Sequence, residues 1–164
     1  MRRGLTQFIA LLLLLAACTP SLNWRAIRPA GSHLSLTFPC KPDVAAREVA
    51  GLHQGLAQCD ADGASFVLSW SALHDSRDAA DALKDMRGSV AQALHATVGT
   101  PRPFAVPGMT PLPEAVQMDL AGARHARVAT FARDAQVYEL LVVSDAPIRP
   151  AAWEGFVGMA GFTE

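Results

Sequence analysis

The sequence predicts an α+β fold: a mostly antiparallel sheet of about six or seven strands with a long helix and a C-terminal helix packed on it. Three features carry that expectation. Short runs of alternating apolar and polar residues recur early and late in the chain. One longer stretch repeats its apolar residues at helical spacing. A proline-rich connector separates that stretch from the later strands.

Trp24 to Ile27 alternates and reads as a first strand, and Pro29-Ala30-Gly31-Ser32 turns the chain. Leu34, Leu36 and Phe38 alternate with Ser35 and Thr37, the pattern of a half-buried strand. Pro39-Cys40-Lys41-Pro42 stops it. Val44 to Val49 and His53 to Cys59 are the next strands, parted near Gly51. Asp60-Ala61-Asp62-Gly63 places an Asp-Gly pair between two strand-like runs, which signals a hairpin. Ser65 to Leu73 follows, with Phe66, Leu68 and Trp70 on one face.

The helix comes next. Asp75 or Ser76 caps it, and Asp78 and Asp81 sit in its early turns, where negative charge is favourable. Leu83, Met86, Val90, Leu94 and Val98 form one apolar stripe, and Gly99 is expected to close the helix. Prolines at 101, 103, 107, 111 and 113 exclude helix and central strand from Thr100 to Pro113. Ala115 to Leu120, His125 to Ala132 and Gln136 to Ser144 then form a meander, turning at Gly122 and at Arg133-Asp134. A last helix fits Pro150 to Met159, with Trp153, Phe156 and Val157 inward.

The N-terminus reads as a leader. Arg2 and Arg3 precede an apolar stretch from Leu5 to Leu15, and Ala16-Ala17-Cys18 ends it. The stretch is shorter than the roughly 20 residues that span a bilayer, and small residues before the break suit a signal peptidase. The small-small-Cys ending resembles a bacterial lipobox. The resemblance implies a signal peptide over 1–17, acylation of Cys18, and a short lipidated tether over 18–23 ahead of a single periplasmic domain over 24–164. An ordinary signal peptide cut near Ala17 is the other reading. Thr19, where an inner-membrane lipoprotein of the enterobacterial type carries Asp, implies the outer membrane.

The whole chain has a formal net charge of −1, and loss of Arg2 and Arg3 makes the remainder more acidic. That balance argues against a nucleic-acid partner. Cys40 and Cys59 remain once Cys18 is assigned to lipid. An even pair in an oxidising compartment reads as a disulfide, with two unpaired buried thiols as the alternative. The enclosed loop of about 19 residues is worth roughly 3 kcal/mol on the chain-entropy model.

Chemistry-bearing patterns are sparse. His33, His53, His74, His95 and His125 lack metal-ligand spacing, and no metal or cofactor is implied. Ser69, Ser71, His74 and Asp75 are neighbours without a nucleophile elbow. Asp60-Ala61-Asp62-Gly63 lacks the later carboxylates of a calcium loop. Arg124, His125 and Glu139 lie on adjacent strands and would form a site only if they converged. Phe104, Val106, Met109 and Leu112 of the connector are the candidate partner-contact residues, unless they cover a sheet edge. Trp24 either reaches the lipid headgroups or packs under the sheet.

Trp24-Arg25, the run Leu36-Thr37-Phe38-Pro39-Cys40-Lys41-Pro42, Cys59, Val106-Pro107-Gly108 and the strand of Tyr138 together resemble a family of proteobacterial lipoproteins. The element order is similar to that of PsbP-like proteins. The resemblance implies an α/β/α sandwich and a protein that binds other proteins without catalysis. The expected function is therefore a lipid-anchored, non-catalytic envelope module that binds an envelope protein or supports an assembly. The alternative is a binder of a small apolar ligand between helix and sheet, and a third reading is a hydrolytic enzyme.

Overall fold

The computed structural model describes residues 22–162, so Cys18 and the leader assigned to residues 1–17 lie outside the described residues. In chain order the strands and helices are β1 (Arg25–Ile27), β2 (Leu34–Phe38), β3 (Asp43–Val49), β4 (Leu52–Ala61), β5 (Ala64–Ala72), α1 (Ala79–Ala93), β6 (Thr97–Val98), β7 (Arg102–Pro103), β8 (Val116–Ala121), β9 (His125–Arg133), β10 (Gln136–Ser144), α2 (Pro150–Val157) and β11 (Gly161–Phe162). The fold class is α+β, as expected. The main sheet has eight strands in the order β3-β4-β5-β10-β9-β8-β6, with β7 beside β8. Its pairings are all antiparallel. The sheet exceeds the expected six or seven strands because two-residue strands form on either side of the proline-rich connector's start. Strands β1, β2 and β11 form a separate three-stranded sheet.

Side-chain alternation divides the core between the two faces of the main sheet. Along β10, Val137, Leu141 and Val143 join clusters with α1, whereas Tyr138, Leu140 and Val142 join the cluster that holds β2 and α2. The helices thus lie on opposite faces, and the small sheet shares the layer of α2. Leu83 is fully buried with Ala132 and Val137, and Val90 and Leu94 pack around Met118, Leu120 and Val128. On the other face Phe156 meets Phe38 and Phe66 edge-on, at centroid distances of 5.1 and 5.4 Å. Tyr138 stacks on Phe131 and donates its hydroxyl hydrogen to the Ser32 carbonyl at 2.8 Å. Trp24 is half-buried, packed edge-on to Phe66 and across Gly155, so its ring belongs to the domain.

The expected hairpin turns form. Asp62 and Gly63, joining β4 to β5, both take positive φ, as do Ala50 and Gly51 between β3 and β4. The helix differs from expectation at both ends. Asp75 caps a short 3-10 turn over Ser76–Asp78, from which α1 continues. The helix stops at Leu94 rather than running through Val98 to Gly99. His95 adopts the left-handed conformation (φ 48°). The His95 N–H then donates to the Gln92 carbonyl and the Ala96 N–H to the Ala91 carbonyl. These bonds form a Schellman cap with histidine in the place glycine usually fills. Val98 consequently leaves the stripe, pairs as part of β6 and is 51% exposed.

Candidate functional site

Phe104 and Val106, expected at a contact surface, are buried in the main core with Phe131 beside Phe104. Met109 packs partly against that core, and Leu112 packs against the cluster of Leu83. The physical reason is local anchoring. The Phe104 N–H donates to the Ala115 carbonyl and the Thr110 N–H to the Ala132 carbonyl, which turns the apolar side chains inward. The connector therefore covers the sheet, with Phe104 and Val106 turned into the core and Met109 and Leu112 left partly exposed.

Arg124, His125 and Glu139 do not converge. Arg124 is exposed and pairs with Asp145 at 2.7 Å. His125 is exposed and lies opposite Ser144, five positions along β10 from Glu139. The other four histidines are exposed as well. Asp75 uses its carboxylate on the backbone N–H and guanidinium of Arg77, which holds its pKa below the usual carboxylate value. Ser71 donates to the Ala72 carbonyl. Among the described residues no group of His, Cys, Asp and Glu side chains has the arrangement of a metal site.

Glu139 itself is unusual. It is 6% exposed, and its Oε2 has no hydrogen-bond partner. Burial raises its pKa from 4.5 to about 7. Its strand neighbours are Thr130 on β9 and Ser69 on β5. Thr130 accepts a hydrogen bond at 2.5 Å from Arg87 of α1, which also donates to the Glu114 carbonyl at 2.8 Å. Desolvation lowers the pKa of Arg87, and the charge of Glu114 opposes that shift. The guanidinium thus reaches past the helix to a hydroxyl and a carbonyl, and forms no ion pair with Glu139.

The opposite edge of the main sheet offers a different kind of site. Among the described residues strand β3 pairs with β4 on one side only, and all seven of its residues are exposed. Val44, Val49 and the β4 residue Leu56 are 50%, 41% and 39% exposed, three large apolar side chains close to one edge. Shallow grooves of about 440 and 340 Å³ run beside them, the first bordered by Cys40 and Val44, the second by Arg47 and Gly55.

The expected Cys40–Cys59 disulfide is present, with Cα atoms 6.0 Å apart. Cys59 lies one residue beyond Gln58, the partner of Asp43, so the bridge fixes where β3 joins the sheet. Trp70 braces the same region from the β2 side. Its indole lies across Gly55, where a Cβ would sit 1.9 Å from a ring carbon. Only glycine leaves room for the ring there, and a tryptophan at 70 opposite glycine at 55 was the signal available in the sequence. Sequence reasoning passed over β3 as a site because its residues are ordinary; what distinguishes the strand is its place in the sheet order.

Comparison with protein-family models, with curated proteins and with solved structures returns no match.

Proposed function

We propose that this chain is a lipid-anchored, non-catalytic module of the bacterial envelope that binds a protein through the free edge of β3. The observation that carries the binding reading is that edge: seven exposed residues without proline, paired on one side, with Val44 and Val49 in the open. Such an edge offers unpaired backbone donors and acceptors to an added strand. The disulfide beside it supports the reading, because a docking strand held in place loses less freedom on binding. The anchor rests on the lipobox-like ending at Cys18, and the outer-membrane assignment on Thr19. The space between α1 and the sheet is filled by Leu83, Ala91, Val128 and Val137, which gives the small-ligand reading no support.

Two measurements test this. Intact mass of protein extracted from membranes should show an N-terminus at Cys18 carrying acyl groups. An unmodified Cys18 refutes the anchor. A photo-crosslinking residue at Val44 should yield a protein adduct in intact cells, while one at Ser89, exposed on α1, should not. Equal adducts at both positions, or none at Val44, refute the docking edge.

A further inference from the structure

We propose that the occupant of the β3 edge is β3 of a second copy of this chain, paired antiparallel about Ala45 to join two main sheets into one. This rests on the reading of β3 as the docking edge. The turn at Ala50-Gly51 closes directly on the pair Val49 and Leu52. Counting back along the alternation of an antiparallel ladder, Asp43, Ala45, Arg47 and Val49 aim their backbone groups at β4. Val44, Ala46 and Glu48 therefore aim theirs outward, free to bond a new strand.

Charge selects the register. Centred on Ala45, the pairing sets Asp43 of each copy opposite Arg47 of the other, twice by symmetry. These are non-hydrogen-bonded positions, where facing side chains lie closest. Neither Asp43 nor Arg47 has an ion-pair partner among the described residues. Val44 then faces Ala46, an apolar pair, on the other side of the sheet. The neighbouring registers are worse. Centred on Val44, Lys41 opposes Arg47; centred on Arg47, that residue opposes itself; centred on Ala46, Glu48 faces Val44. Charged edge strands commonly repel further strands. Here the charges are of opposite sign four residues apart, so the edge is complementary to its own reverse. A two-fold axis also closes the assembly at two copies, since each chain spends its β3 edge.

The test is a cysteine at Ala45 in the full-length protein, oxidised in its native membranes. In the proposed register the two Ala45 Cα atoms lie about 4.5 Å apart, within disulfide reach. Ala45→Cys should shift from monomer to dimer on non-reducing gels, whereas Ala46→Cys should stay monomeric. Adding Asp43→Arg alone, or Arg47→Asp alone, should abolish the Ala45→Cys dimer. Mixing these two variants in one cell should restore it as a heterodimer, because each mismatch is then matched. Cross-linking through Ala46→Cys instead, or dimers indifferent to the charge reversals, would overturn the proposal. An Ala45→Cys adduct with a different envelope protein would keep the docking edge and sink self-pairing. No adduct of either kind would sink both.

Discussion

A carboxylate held between a helix and a sheet without a partner disfavours folding whenever it is ionised. Glu139 is in that position, and its pKa of about 7 makes the effect depend on pH. The protonated carboxyl's contribution is fully present below the unfolded value of 4.5 and is lost as pH rises through about 7. Glu139→Gln should therefore gain stability over the wild type between pH 4 and pH 8, by an amount on the order of 3 kcal/mol. Urea denaturation of both proteins at the two pH values measures it. A difference between them that does not change with pH contradicts the buried, unpaired carboxylate. Part of this was legible beforehand. Glu139 shares parity with Val137, Leu141 and Val143, so alternation alone puts it on an apolar face. What the sequence lacks is any mark that Arg87, in the helix above, turns to Thr130 instead.

Among the elements, those set by local pattern were legible and those set by distant pairing were not. The alternation of Leu34, Leu36 and Phe38 gave β2, and Asp62-Gly63 gave the turn after β4. Nothing local shows that β2 pairs with β11 across more than a hundred residues, in a sheet of its own. The end of α1 was misplaced because Val98 continues the helical spacing while His95 ends the helix in a conformation usually left to glycine. The stripe thus divides into a buried part and an exposed part, and truncation should tell them apart. Leu83→Ala should cost about 2–5 kcal/mol, as truncation of fully buried leucine does. Val98→Ala, half in solvent, should cost less than about 0.5 kcal/mol. Similar losses at the two sites, measured by chemical denaturation, would mean that Leu83 is no more deeply packed than Val98. The connector teaches a related lesson. An extended segment rich in proline and apolar residues looks like a recognition strip, but backbone bonds to Ala115 and Ala132 seat it on the core.

At the scale of the whole molecule, one covalent bridge ties the start of the free edge to the sheet. Cys40→Ser combined with Cys59→Ser opens a loop spanning 19 residues, and should lower stability by about 3 kcal/mol. An unchanged urea midpoint would show that the bridge constrains little. The loss should also loosen β3 before the rest of the sheet, because among the described residues Asp43 to Val49 bond within the chain to β4 alone. Hydrogen exchange would then quicken at β4 residues facing β3 more than at β10.

The start of the described chain has a consequence for posture. Leu22 lies beside Ala61, Phe66 and Ala152, on the side of the main sheet that carries α2. Cys18 is four residues earlier, a span of at most about 14 Å. Were Cys18 acylated as proposed, so short a leash would keep the molecule from turning freely above a bilayer. Two copies related by an axis perpendicular to the sheet would both rest on one membrane only if that axis stood upright. The strands would then run parallel to the lipid surface, with the α2 layer facing down and α1 facing the aqueous space.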